Sequence, residues 1–212
     1  MIPLDQAIQI GNRVCELLAP AVERAEIVGS VRRGKAEVKD VEILCQPKII
    51  TDPGALLAGN EISALDRHVE RLTGGPTLAA PATGREPSLT FDCHVKRNGS
   101  RYKRLLWNGE LVIELYAVMP PARWGALMVI RTGPADFCRL LVTGQRHGGA
   151  MPDDHCEHGG SLRNLLRGQG EIIDTPEEED FFAVLDVPWW PPSERSEERL
   201  RNFLRARRSR AE

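Results

Sequence analysis

Asp40 and Glu42 lie in a segment, Asp40 to Cys45, where polar and apolar residues alternate at the start, with Val41, Ile43 and Cys45 forming one set and Asp40, Glu42 and Leu44 the other. In extended backbone, successive side chains point to opposite faces. The two carboxylates therefore share a face, about 6 to 7 Å apart along the strand. Like charges held that close repel, and a hard divalent cation such as Mg2+ relieves the repulsion by taking carboxylate oxygens and filling its other positions with water and phosphate oxygens. For a lone Asp-x-Glu, the competing reading is a solvated strand face.

Context favours the cation. Gly29-Ser30 precedes Asp40 by nine intervening residues and follows a short strand candidate, Glu26 to Val28. A glycine lets backbone approach an anion closely. Backbone N–H groups at the following helix start, with the Ser30 hydroxyl and the Arg33 guanidinium, form a set suited to the terminal phosphates of a nucleotide. A third acid, Glu114, sits in the apolar run Leu111-Val112-Ile113-Glu114-Leu115-Tyr116. Burying it alone is costly, so it either points outward or completes a metal site.

The elements that must position these groups can be read along the chain. Leu4, Ile8, Val14, Leu17 and Leu18 recur at helical period ahead of Pro20, giving an amphipathic helix. Gly29 to Gly34 reads as a tight turn and a short helix. Residues 47 to 60 read as a loop entering a helix near Ile62 to Leu72, and Thr73 to Pro87 as an irregular loop. Strands are expected at Leu89 to Lys96, Arg101 to Trp107 and Leu111 to Val118, joined by the turn signals Asn98-Gly99 and Asn108-Gly109. Pro120-Pro121 marks a boundary, so a first domain over 1–121 and a smaller one over 122–212 are expected. In the second, Trp124 to Ile130 and Pro134 to Val142 look helical on either side of Thr132-Gly133. Gly144 to Gly160 reads as loop or hairpin. Thr175-Pro176-Glu177-Glu178 reads as a helix start capped by Thr175. The fold class is α+β.

The composition sets limits. The chain has 212 residues, 42% hydrophobic and 27% charged, enough for one or two cores. Its 28 basic and 30 acidic side chains leave a net charge of −2, which excludes a uniformly basic coat but not local basic patches. No stretch reaches the ~18 uninterrupted apolar residues that span a bilayer. Five scattered cysteines without a CxxC spacing suit reduced thiols, so a cytoplasmic protein is expected. His147, Asp153, Asp154, His155, Cys156 and His158 gather potential zinc ligands in a glycine-rich stretch, but in no standard zinc spacing, and read as a solvated loop. Trp189-Trp190 between prolines reads as a packed corner. The tail from Ser193 holds seven arginines and four acids and reads as a solvated helix.

Taken together, Gly29-Ser30-Val31-Arg32-Arg33-Gly34 with Asp40-Val41-Glu42 resembles the signature of the nucleotidyltransferase superfamily, in particular the family X DNA polymerases related to DNA polymerase beta. Ile113-Glu114-Leu115 resembles that family's third metal carboxylate. Arg131 to Phe137 resembles the segment opening its nucleotide-binding subdomain, and Thr175 to Glu197 its C-terminal end. The resemblance runs over about residues 26 to 197, with four matches in order.

It implies a polymerase beta-like palm followed by a nucleotide-binding subdomain, and transfer of a nucleotide to a 3′-hydroxyl with two Mg2+ ions, Mn2+ being an alternative. Asp40, Glu42 and Glu114 would be the catalytic metal ligands. Gly29, Ser30, Arg33, Thr132 and Gly133 would hold the nucleotide, while Lys103, Arg104 and Arg139 would meet DNA. The implied partners are nucleoside triphosphates and gapped or primer-template DNA, for a monomer without membrane attachment. With 28 residues ahead of Gly29, a polymerase core alone is expected. Glu stands at two positions where the family usually has Asp, which shifts the ions by about an ångström. Ile130-Arg131 replaces an aromatic pair that excludes a ribose 2′-hydroxyl, and Cys138 and Val142 replace polar contacts. Two rivals stay open: a transferase of the same fold acting on an untemplated end or small acceptor, and a DNA-binding accessory module without catalysis.

Overall fold

The structure, a computed structural model, describes residues 1–51, 61–73, 93–166 and 170–210. It divides into two compact units: 1–27 with 37–117, and 28–36 with 118–212. The division falls after Ala117 rather than at Pro121. Residues 28–36, expected in the first domain, belong with the second, because their arginines are bonded to it.

In the first unit, β1 (Ile2–Pro3) leads into α1 (Leu4–Leu18), and β2 (Val22–Val28) follows. The short α2 (Gly29–Arg32) is part of the second unit. The first resumes with β3 (Glu37–Val38), β4 (Asp40–Pro47), β5 (Ile49–Thr51), β6 (Glu61–Ser63), α3 (Ala64–Leu72), β7 (Cys93–Asn98), β8 (Tyr102–Trp107) and β9 (Leu111–Ala117). Five strands form one mixed sheet in the order β2-β4-β9-β8-β7. β4 and β9 run parallel, whereas β9, β8 and β7 are successively antiparallel. The β5–β6 pair was not expected; its intervening segment, and most of the expected Thr73–Pro87 loop, lie outside the described residues.

One face of this sheet is sealed. Val41, Ile43, Cys45, Ile113 and Leu115 are all buried, and α1 packs on that face so closely that a Cβ on Gly11 would meet Ile27 Cδ1 at 2.5 Å and Val41 Cγ1 at 3.3 Å. Glycine allows that approach without displacing the Ile27 side chain. The alternate residues of β4 and β9 consequently look the other way.

The second unit is built from α2, α4 (Trp124–Thr132), α5 (Ala135–Val142), a three-stranded antiparallel sheet of β10 (His155–His158), β11 (Ser161–Asn164) and β12 (Glu171–Ile173), then α6 (Glu178–Val184) and α7 (Glu197–Arg208). Its core gathers Phe137, Leu141, Phe181, Phe182, Trp190 and Leu200. Trp190 stacks edge-on to Phe203 at 5.8 Å, the packed corner expected of it. Helix α6 does not start on Thr175: its N-cap is Glu177, in a capping box with Asp180, while the buried Thr175 carbonyl accepts from Gly125 N at 2.9 Å. Ser196 caps α7 by accepting from Arg199 N at 3.1 Å.

Candidate active site

The three acids lie on one face of one sheet. Asp40 and Glu42 are two residues apart on β4, and the parallel register sets Asp40 against Val112 and Glu42 against Glu114. Residues paired on neighbouring strands point the same way, with backbones about 4.8 Å apart. All three acids are half-buried, while their strand neighbours Val41, Ile43, Ile113 and Leu115 are buried on the opposite face.

On the far side of β9, the antiparallel register of β8 sets Arg104 against Glu114 and Tyr102 against Tyr116. Arg104 Nε stands 3.7 Å from Glu114 Oε1. The Tyr102 hydroxyl donates to Glu114 Oε1 at 2.6 Å, and the Tyr116 hydroxyl donates to Oε2, also at 2.6 Å. Both carboxylate oxygens are thus held. Burial raises the Tyr102 hydroxyl above its ordinary value, and the bond to Glu114 adds to the rise.

Burial, then the negative charge of Glu114, pushes the Asp40 carboxyl above the usual carboxylate range, with Arg104 and Lys39 opposing. An all-carboxylate donor set under mutual repulsion is the chemistry that suits a hard divalent cation. As the side chains stand, no three His, Cys, Asp or Glu side chains among the described residues are gathered closely enough to hold one. The donor set fits, but the tyrosines engage its third member.

The residues expected to hold a nucleotide fall in the second unit. Gly29 opens α2 with φ +66°, a conformation suited to glycine. Arg33 Nη1 donates to the Thr132 carbonyl, and Arg32 Nη1 to the Thr132 hydroxyl at 2.8 Å. Gly133, at φ +70°, leaves room for that guanidinium: a Cβ there would lie 3.1 Å from Arg33 Nη1. So α2 and the end of α4 bring Gly29, Ser30, Arg33, Thr132 and Gly133 into one neighbourhood.

Sequence reasoning missed what fixes this neighbourhood. Arg32 forks onto Glu178, with Nη1 to Oε1 at 2.8 Å and Nη2 to Oε2 at 3.0 Å. Arg195 Nη1 adds 2.8 Å to Oε1, and Trp189 Nε1 adds 2.9 Å to Oε2. Burial works against the Glu178 charge, but Arg195 and Arg32 prevail and hold its pKa down to about 2. In the sequence Glu178 stands only as part of a helix start, and its partner Arg32 lies 146 residues away, beyond any local signal.

Of the three expected DNA contacts, Lys103 is a correction. It is 1% exposed, with Nζ 2.5 Å from Asp66 Oδ1, 2.6 Å from Asn98 Oδ1 and 3.2 Å from the Gly99 carbonyl. It pins α3 to the β7–β8 turn and is closed to DNA. Arg104 shares the face of the acids and is half exposed, while Arg139 is exposed and paired with Asp136. In the histidine-rich stretch, His155 Nδ1 bonds Asp154 at 2.6 Å, and Asp153 accepts from Arg146 N at 3.1 Å.

No family profile matches the chain. It is 28% identical to DNA polymerase lambda of Rattus norvegicus over 173 residues, 79% of this chain and 28% of that relative. The chain therefore spans little more than a quarter of the length of the curated relative it matches. The fold matches the crystal structure of Leishmania infantum polymerase beta, described as a ternary P/T complex, with a TM-score of 0.63 and 16% identity, over 92% of this chain and 76% of that one. The chain is similar in sequence to a family X DNA polymerase and shares the fold of polymerase beta. No helix among the described residues is long and apolar enough to cross a membrane.

Proposed function

We propose that the chain is a template-directed nucleotidyltransferase that extends a DNA 3′-hydroxyl, of the gap-filling or repair type. The observation that supports this most is the parallel register that sets Glu42 against Glu114, so that three acids distant in sequence share one sheet face.

In this reading, Asp40, Glu42 and Glu114 hold divalent cations, Mg2+ or Mn2+. When bound, these supply Lewis-acid activation of the attacking hydroxyl and neutralise charge on the phosphates. Ser30 and Arg33 bind the outer phosphates of the incoming nucleotide, and Arg33 is oriented for this by the Thr132 carbonyl. Gly133, without a side chain, brings backbone close to the sugar. Arg104 and Arg139 attract the DNA backbone, with binding that weakens as salt rises. The enzyme would act as a cytoplasmic monomer.

The hold of Tyr102 and Tyr116 on Glu114 favours one other reading, an accessory DNA-binding module without catalysis. Primer extension with all four nucleotides separates the possibilities. Template-dependent extension that vanishes in Asp40→Ala supports the proposal. Product on small acceptors or untemplated ends but none on a templated primer supports a different transferase, and equal background in parent and variant supports the accessory module.

A further inference from the structure

Glu114 is the acid whose engagement is visible atom by atom. Its two oxygens accept from Tyr102 and Tyr116 at 2.6 Å each, and Arg104 lies 3.7 Å from Oε1. The tyrosines face each other across β8 and β9 with ring centroids 5.3 Å apart, two residues further along β9 than Glu114. Asp40 pairs with Val112, two residues back in the opposite direction. The carboxylate is bonded to the tyrosine pair, and among the described residues no three acidic groups close on a common point.

Resting on the proposed function, we propose that Tyr102 and Tyr116 are positioning residues that clamp Glu114 away from Asp40 and Glu42, so that the third acid joins a divalent cation only by giving up tyrosine hydrogen bonds. Each phenol donates to a charged oxygen, the stronger class of hydrogen bond, and two such bonds on one carboxylate form a stable alternative to metal ligation. A side chain with two states is pulled toward the cation only by the difference in free energy between them. Removing one donor weakens the clamped state and leaves the acid in place. The clamp thereby sets the concentration of cation at which the three acids close.

The test measures Mn2+ binding to the whole chain by electron paramagnetic resonance, in parallel with the Mn2+ dependence of primer extension. Tyr102→Phe and Tyr116→Phe keep the aromatic pair and remove one donor each, so both are compatible with the fold. Each is expected to bind Mn2+ about tenfold more tightly than the parent. The metal concentration giving half-maximal extension should fall by a similar factor, and the KM for nucleotide should not change. In a Glu114→Gln background, Tyr102→Phe should change Mn2+ affinity no further. Parent binding that is unchanged or weakened in the phenylalanine variants overturns the clamp while leaving the proposed function standing. Absence of Mn2+ binding in parent and variants alike overturns the clamp and the metal-holding role of the three acids together.

Discussion

Glu42 and Glu114 stand directly opposite each other on neighbouring parallel strands. The pairing joins residues 72 positions apart and places a third carboxylate beside the Asp40–Glu42 pair. If these acids hold the reacting cations, replacing Asp40 or Glu42 with its amide removes charge without changing shape. Asp40→Asn and Glu42→Gln are each expected to lower the rate of primer extension by about 10²-fold or more. Circular dichroism of both variants should match the parent. Retention of more than a tenth of the parent rate in either would count against the assignment.

That pairing was half legible in the sequence. Alternation in Asp40 to Cys45 and in Leu111 to Tyr116 fixes which residues share a face, but not that β4 and β9 are neighbours, because pairing between strands distant in sequence leaves no local trace. The β8–β9 hairpin shows how finely register matters. A two-residue Asn108-Gly109 loop would set Lys103 against Glu114. The observed loop runs from Trp107 to Leu111, moves the pairing by one residue and puts Arg104 over the acids instead. Lys103 then falls on the sealed face with Leu105. The alternation Lys103-Arg104-Leu105 carried that signal, and the positive charge masked it. Tyr102 and Tyr116 were equally readable as same-face neighbours of Glu114 once the register was known. The Glu178 cluster was not readable, since Arg32 lies 146 residues away and Trp189 and Arg195 come from the connection between α6 and α7.

Lys103 is expected to matter for stability and not for DNA. Its ammonium pairs with the Asp66 carboxylate and donates to Asn98 Oδ1 and the Gly99 carbonyl in a site 1% exposed. Lys103→Met keeps the length of the stem and removes these bonds. The loss is expected to be about 1–3 kcal/mol, because the Asp66 carboxylate is itself partly exposed and can regain water. Urea unfolding measures the loss. DNA affinity at fixed salt should stay within twofold of the parent, whereas Arg104→Ala should weaken it and flatten its salt dependence.

Glu178 makes the second unit sensitive to acid. Its carboxyl titrates near 2 when folded against an ordinary value of 4.5, so its contribution is complete above about pH 4.5 and declines as the pH falls from there toward 2. Protonation leaves the Arg195 guanidinium, whose side chain is 0% exposed, facing a neutral group. Thermal unfolding followed at pH 7, 4 and 3 should show this decline. Glu178→Gln should cost about 3–5 kcal/mol at pH 7 and flatten the fall below pH 4.5. A variant as stable as the parent at pH 7 would show that Arg32 and Arg195 do not depend on this charge.

Two helical glycines pose the same steric question and should give different answers. At Gly11 a Cβ meets the end of the Ile27 side chain, at 2.5 Å from Cδ1, and a rotamer change can relieve that contact. At Gly125 the same atom would lie 2.0 Å from the Glu177 carbonyl oxygen and 2.8 Å from that of Thr175. Those are backbone atoms, and Glu177 is also the cap of α6, so the helix start itself must shift. The roughly 1 kcal/mol that alanine gains over glycine inside a helix offsets little of this. Gly125→Ala is expected to lose about 3 kcal/mol or more and Gly11→Ala about 1 kcal/mol, both read from urea unfolding. Because Glu178 is the first residue of α6, the shift at Glu177 also disturbs its bonds to Arg32 and Arg195. Gly125→Ala should therefore weaken the acid-dependent loss of stability as well, a signature that Gly11→Ala lacks.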